Sequence, residues 1–338
     1  MSKVYCCCNQ KGGTNKTTVV ANLGIGLARA GEKVLLMDCD PQGSLTASLG
    51  YQNPDEISTT IATIMTHIIN EEDFDPHEGI LHHEEGVDLL PANIELSGLE
   101  VLLGNTMSRE MILKEYIDHL RSEYTYILID CMPSLGITTI NALVAADRIL
   151  IPVQAAYLPV KGLQQLLKTI TVVKKRLNKT LQIEGILLTM VDFRTNYAKD
   201  ITQMLRDSYG KTIGIMDTCI PFSVRAPEAS AAGISIYKYD PNCKVAKFYR
   251  EYPCQIEEVT CGGESGPDAR LCDYEWVMEL MLECVQYGVP FHFMQTGTNF
   301  KKGGQLYFIK DHRDQISQAA KARIDYRPAS SVKAEKTG

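Results

Sequence analysis

Within QKGGTNKTT, Gln10 to Thr18, two lysines and three threonines flank two adjacent glycines. That set suits the holding of phosphate. An anion needs convergent N–H donors and positive charge, and a glycine-rich turn feeding a helix N-terminus supplies both. Gly12 and Gly13 would let the backbone approach, with Thr14 between them and Asn15. Lys16 would reach the β- and γ-phosphates, the Thr17 hydroxyl would hold Mg²⁺, and Thr18 would continue into the helix. The standard pattern G-x-x-x-x-G-K-[ST] has glycine where this chain has Gln10 and Asn15. Glycine serves where φ is positive or where the backbone must come close. Asparagine is among the few residues that tolerate the left-handed region, so a requirement for positive φ is met at modest cost. A side chain pressed against phosphate would instead weaken binding or distort the geometry of hydrolysis. ATP binding is therefore expected, and turnover is left open.

Carboxylates complete the set. YILIDCMPS ends an apolar run at Asp130, and KVLLMDCDPQG places Asp38 and Asp40 at the end of another. In open α/β sheets, ligands bind at the carboxyl ends of the strands. Carboxylates there can bind a metal's water shell or orient an attacking water. Singly, an aspartate after a strand is more often a turn former or helix cap. In this order, together with the lysine loop, they point to nucleotide chemistry.

Elements that position these residues are legible in the pattern. Apolar runs at VYCCC (4–8), 33–38, 87–91, 126–130, 148–153 and 183–191 alternate with helical stretches such as 160–177 and 198–210, the latter stopping at Gly210. Most runs are continuous rather than alternating, as in strands buried on both faces. The fold class predicted is α/β, a mostly parallel doubly wound sheet with helices on both faces. Glu71 to Glu85 reads as a loop whose His77, His82 and His83 are solvated rather than metal ligands.

After about Tyr252 the composition changes. CQIEEVTCGGESGPDARLC has turn residues and no clear period; a helix at 274–288, the run VPFHFMQ, a glycine turn and a β-like LYFI come next. Gly262, Gly263 and Gly266 suggest a second phosphate loop, but no strand–loop–lysine arrangement accompanies them, and a plain turn is the expectation. A disordered tail is expected from residue 326.

The bulk numbers bound the class. With 338 residues, 45% hydrophobic and 22% charged, the chain suits a large α/β domain with an appendage. No apolar run reaches the ~18 residues that span a bilayer. Asn9, Gln10 and Lys11 interrupt the first apolar run too early for a signal peptide. Eleven cysteines without a C-x-x-C pair argue against zinc or iron–sulfur ligation, and reduced thiols in a cytoplasm are expected. A net charge of −7 excludes a uniformly basic surface but not a local DNA-binding patch.

KGG-x-x-KTT, DCDPQGSLTASLG, LIDCMPSLG, the NALVAAD run and IPVQ closely resemble the ParA/Soj branch of the deviant Walker-A ATPases, related to MinD and the nitrogenase iron protein. The resemblance runs from Met1 to about Tyr252, giving domains 1–252 (ATPase), 253–325 (appended) and 326–338 (tail). It implies a P-loop NTPase that uses ATP and Mg²⁺ and forms a homodimer on binding ATP. In that family the dimer binds DNA non-specifically and a ParB-type activator protein triggers hydrolysis. Lys11 would be the signature lysine reaching the partner's nucleotide, Lys16 the P-loop lysine and Thr17 the Mg²⁺ ligand. Asp40 would place the hydrolytic water, Asp130 would be the Walker-B acid, and Asp38 would support the metal region. Gln10 is ordinary for the branch, whereas Asn15 departs from it. TCIPFSVRAPEAS (218–230) resembles the segment near the adenine. Candidate DNA contacts are Lys174, Lys175, Arg176, Lys199 and Arg206, each of which singly reads as a solvated helix charge. A cytoplasmic, nucleoid-associated protein of plasmid or chromosome segregation is implied, without the amphipathic C-terminal helix of a membrane-binding relative. The alternatives are a hydrolysis-defective interaction module and, for the tail, a chance fusion. VTCGGESGPDARLCDYEWV and CVQYGVPFHFMQTG resemble the end of an uncharacterised phage-associated, radical-SAM-related family, lacking its cluster cysteines and having Met294 where a lysine is expected.

Overall fold

A computed structural model describes residues 2–154, 159–192, 194–209, 213–251, 259–265, 269–287 and 291–326. Gly210, Gly266 and the tail from 327 onward lie outside these residues. The chain divides into two compact units, Met1–Pro253 and Cys254–Gly338.

The first unit is built on an eight-stranded sheet in the order β3-β4-β2-β5-β1-β6-β7-β8. Its strands are β1 (Lys3–Cys7), β2 (Val34–Cys39), β3 (Leu81–His82), β4 (Asp88–Leu90), β5 (Tyr126–Cys131), β6 (Arg148–Gln154), β7 (Gln182–Val191) and β8 (Ile215–Pro221). Every pairing is parallel except β3 with β4. The six expected strands are present. Two were missed: β3, only two residues long inside the expected loop, and β8, whose IMDTCIP is broken by polar Asp217 and Thr218.

Strand alternation sends side chains into two cores. Val4, Cys6, Leu35, Met37, Ile127 and Ile129 enter one. Cys7, Val34, Leu36 and Leu128, from the same strands, enter the other. Both faces are thus covered, which is why these runs read as continuously apolar. At about 1.5–3 kcal/mol per fully buried aliphatic side chain, the two layers hold the sheet rigid beneath its loops.

Helix α1 (Lys16–Arg29) packs on the second face through Val19, Val20, Leu23 and Leu27. Gly24 permits the close approach, because a Cβ there would stand 2.4 Å from Leu36 Cδ2. The helix ends where Gly31, at φ 93°, donates its N–H to Ala28 O at 2.9 Å. A short helix α2 (Ser44–Ser48) comes after β2.

The second unit is a small α+β body. β9 (Val259–Gly262) pairs in parallel with β11 (Phe291–Gln295). β10 (Leu271–Asp273), β12 (Asn299–Lys302) and β13 (Gln305–Phe308) form a separate three-stranded sheet. Helices Tyr274–Tyr287 and His312–Ala322 accompany them. Its core gathers Val277, Cys284, Phe291, Phe293, Phe300 and Ala319.

Candidate functional site

The phosphate loop spans the gap between β1 and α1, at the carboxyl end of the sheet's middle strands. Two residues take left-handed backbone: Gly13 at φ 71° and Asn15 at φ 64°, ψ 26°. Asn15 is the N-cap residue of α1, but its side chain makes no capping bond. The departure from the family pattern thus falls on a position that needs positive φ, which asparagine tolerates and most residues do not. A Cβ at Gly12 or Gly13 would meet nothing within 4 Å. These glycines leave open space over the turn instead of packing on the chain.

Around the loop, the sequence-predicted residues converge unequally. Lys16 is 7% exposed. Thr17 Oγ1 donates to Asp130 Oδ2 at 2.7 Å. Asp38 and Asp130 stand in register on β2 and β5. Asp38 is fully buried and accepts from Thr46 N at 2.9 Å, Thr46 Oγ1 at 2.8 Å and Asp40 N at 3.1 Å. Asp40 is half-buried, and its Oδ1 accepts from Gln42 N at 3.0 Å. Lys11, also half-buried, donates its N–H to Asn9 Oδ1 at 3.0 Å, and Thr14 Oγ1 donates to Lys11 O at 3.3 Å. Thr18 O accepts from Asn22 Nδ2 at 2.8 Å.

The electrostatics are governed by burial. Burial pushes the Asp38 carboxyl up to about 6, although hydrogen bonds from Thr46 and from the Asp40 backbone oppose the rise. Asp130 is raised as well, first by burial and then by the Asp38 charge, against the Thr17 hydrogen bond and the Lys16 charge. Asp130 Oδ1 is buried without a hydrogen-bond partner among the described residues. An unpaired buried carboxylate oxygen beside a threonine hydroxyl suits a hard divalent cation with oxygen ligands. The residues present therefore fit Mg²⁺, and the open cradle over Gly12 and Gly13 fits phosphate.

Sequence reasoning missed three supports. Asn9, 3% exposed, ties the loop to β6 by donating Nδ2 to Pro152 O at 2.7 Å while its Oδ1 takes the Lys11 N–H. Thr46, on α2, fills both lone-pair directions of Asp38 Oδ2. Thr189, on β7, donates to Thr14 O at 3.2 Å. No motif announces them; each acts through a contact that only tertiary structure creates. Asparagine directly after a strand offered the one readable signal, as a turn former.

Other candidates are dispersed. Lys174, Lys175 and Arg176 are exposed at the end of helix Pro159–Arg176, and Arg206 is half-buried on helix Asn196–Tyr209. The Lys199 side chain lies outside the described residues. Of the loop histidines, His77 pairs with Glu123 at 2.9 Å and His82 with Asp88 at 2.5 Å. The described residues contain no cluster of three or more His, Cys, Asp or Glu side chains placed to hold a metal ion by themselves. Segment 218–230 supplies the end of β8 and most of helix Arg225–Ala231. No helix among the described residues is long and apolar enough to cross a membrane.

Comparisons with known proteins agree with this fold. Residues 2–183 match a family model described as an AAA domain, and residues 153–332 match one described as a protein of unknown function, DUF5131. The second match begins inside the first unit, well before the composition change. The chain is 42% identical over 267 residues to the sporulation initiation inhibitor protein Soj of Bacillus subtilis, covering 78% of this chain and 100% of that one. It is 40% identical to the chromosome partitioning protein ParA of Myxococcus xanthus, covering 74% and 86%. Among solved structures, a cobyrinic acid a,c-diamide synthase from Mycobacterium smegmatis with bound ATP analogue and magnesium superposes at a TM-score of 0.66. It shares 34% identity and covers 76% of this chain and 94% of that one.

Proposed function

The chain belongs to the ParA/Soj family, and from that premise we propose that it is an ATP-dependent switch in DNA partition. In this reading ATP assembles a homodimer that binds DNA non-specifically, and hydrolysis, stimulated by a ParB-type partner, releases it. The observation that carries the proposal is the phosphate loop, in which Asn15 takes the left-handed conformation beside an open cradle at Gly12 and Gly13. The M. smegmatis structure, which holds an ATP analogue and magnesium, supports the ligand assignment.

Position supports the roles proposed for the site residues. Lys16, buried at the start of α1, balances the phosphate charge together with the helix N-terminus. Lys11 contributes across the dimer, so the sandwich buries nucleotide charge between lysines of facing chains and ATP favours the dimer. Thr17 and Asp130, with Asp38 behind them, would hold Mg²⁺, which neutralises phosphate charge when bound. Asp40 stands at the mouth of β2, half-buried, where it can orient an attacking water. Lys174, Lys175 and Arg176 supply the DNA-facing charge. Residues 1–252 carry this activity, and 253–325 form an appended module.

The deciding experiment is ATP hydrolysis by purified protein, with and without DNA, beside the Asn15→Gly variant. Turnover by the wild type, or its stimulation by DNA, supports the switch. Turnover by the glycine variant alone would show that one substitution disables an otherwise intact site, and a nucleotide-binding interaction module would replace the partition reading.

A further inference from the structure

We propose that Thr189 is a positioning residue of the phosphate loop, fixed at the last regularly paired position of β7 before a bulge at Met190. The inference rests on the reading of the loop as an ATP site and deepens it.

Three observations on β7 converge. Pairing with β8 is irregular twice: from Ile186↔Ile215 to Leu188↔Cys219 it advances two steps on β7 against four on β8, and from there to Val191↔Pro221 three against two. The second interval leaves one extra residue on β7 between Leu188 and Val191. Core membership says the same: Ile186 and Leu188 enter one core and Leu187 the other, yet Val191 rejoins Leu188's side. Uninterrupted alternation would place residue 190, not 191, on that side. Third, Met190 sits at φ 52°, the left-handed region that a non-glycine residue adopts only when its surroundings hold it there. Bulges recur next to active sites, where they re-aim a side chain or terminate pairing, and here pairing with β6 ends at Thr189.

Thr189 stands just before the bulge, on the face that regular alternation from Leu187 gives it. It is fully buried, pairs across the sheet with Gln154 on β6, and donates its hydroxyl to Thr14 O at 3.2 Å. No described peptide bond is cis, so the carbonyl of Thr14 and the N–H of Asn15 point opposite ways from one rigid plane. Holding that carbonyl toward β7 turns the Asn15 N–H away from the sheet edge and into the turn, where phosphate would be bound. Glycine at position 15 would leave this plane free to rotate. Asparagine, restricted to a narrow left-handed well, already limits that rotation. Thr189 and the residue at position 15 thus act on one peptide unit.

A buried threonine that merely satisfies a nearby carbonyl is the competing account, and the test separates the two. Hydrogen–deuterium exchange of the full-length protein without nucleotide compares wild type, Thr189→Val and Thr189→Ser. Exchange in residues 10–16 should quicken in the valine variant, return to wild type in the serine variant, and leave β1 and β5 protected in both. Uniform acceleration across the sheet, or none, would overturn the proposal. The second arm titrates mant-ATP with Mg²⁺. Valine should weaken binding about five- to tenfold, and serine should restore it. In a double-mutant cycle with Asn15→Gly, the valine loss should grow, because the plane has more freedom to lose; additive effects count against the proposal. Failure of the wild type to bind mant-ATP would remove the nucleotide reading, while the exchange arm still judges Thr189.

Discussion

Two loops in this chain carry adjacent glycines at the end of a parallel strand, and they use them for opposite purposes. After β1, Gly12 and Gly13 face open space, with nothing within 4 Å of an added Cβ. After β9, a Cβ on Gly263 would lie 2.3 Å from Thr296 O, and Gly297, at φ 77°, presses back from the other side. One pair keeps room for a ligand's close approach; the other lets the chain approach itself. Glycine spacing alone cannot tell these apart. The residues downstream of each pair can: a lysine, a threonine and a long helix after the first, and an acidic turn after the second.

The sharpest way to break this comparison starts with charge. Lys16→Ala should reduce mant-ATP affinity by about 100-fold, since charge-assisted hydrogen bonds contribute roughly 1.5–3 kcal/mol, and should leave the second unit untouched. Trp276, the chain's single tryptophan, lies in the second unit, and its emission during a urea titration follows that unit's unfolding. Gly263→Ala is the mirror experiment. The clash with Thr296 O should lower that unit's stability by about 2 kcal/mol or more, read from the same emission, with nucleotide binding unchanged. Gly12→Ala sharpens the contrast: stability should move by less than about 0.5 kcal/mol while nucleotide affinity falls. A Gly12→Ala protein that loses stability but keeps its affinity would erase the distinction.

A second contrast is in pH. Asp38 titrates at about 6 in the folded chain, and Asp130 is raised too, against about 4 for a carboxyl in an unfolded chain. Between about pH 4 and 6 the folded state therefore binds more protons than the unfolded state, and the stability these groups contribute falls as pH rises through that window. For Asp38 the loss is at most about 3 kcal/mol. Mg²⁺ and nucleotide need the ionised carboxylates, so affinity should rise over the same interval, and Asp38→Asn should flatten both trends. In the second unit the sign reverses. Its bond from Lys301 holds Asp273 below the ordinary carboxylate value, so that contribution disappears as pH falls. Thermal midpoints across pH 4–7, with and without Mg·ATP, measure both. The smallest expected effect on stability belongs to glycine at position 15. Asn15→Ala should destabilise by about 1 kcal/mol, because alanine lacks asparagine's tolerance for the left-handed region, whereas Asn15→Gly should be near neutral in a denaturant titration.

Much of the first unit was readable because its information is local. Continuous apolar runs mark strands buried on both faces, and the lysine loop with Asp38, Asp40 and Asp130 occupies the strand ends where such sheets bind ligands. What stayed hidden was long-range. Thr46, Thr189 and Asn9 are ordinary residues until folding brings each against a carboxylate or carbonyl of another strand. β8 escaped because Asp217 and Thr218 interrupt its apolar pattern, and β3 because two residues carry no period. The strain at Met190 likewise has no local signature; the residue type gives no hint of a left-handed backbone.

The sulfur layer beneath the phosphate loop has a kinetic consequence. Cys6, Cys7, Cys8, Cys39 and Cys131, in and just beyond three central strands, are each 3% exposed or less, and burial lifts the Cys7 and Cys39 thiols well above the ordinary value. A water-soluble disulfide reagent can modify them only when those strands part. Their labelling rate then tracks the opening of the middle of the sheet and ignores fraying at its edges. The protein thus carries its own clock for that event, and nucleotide should slow it.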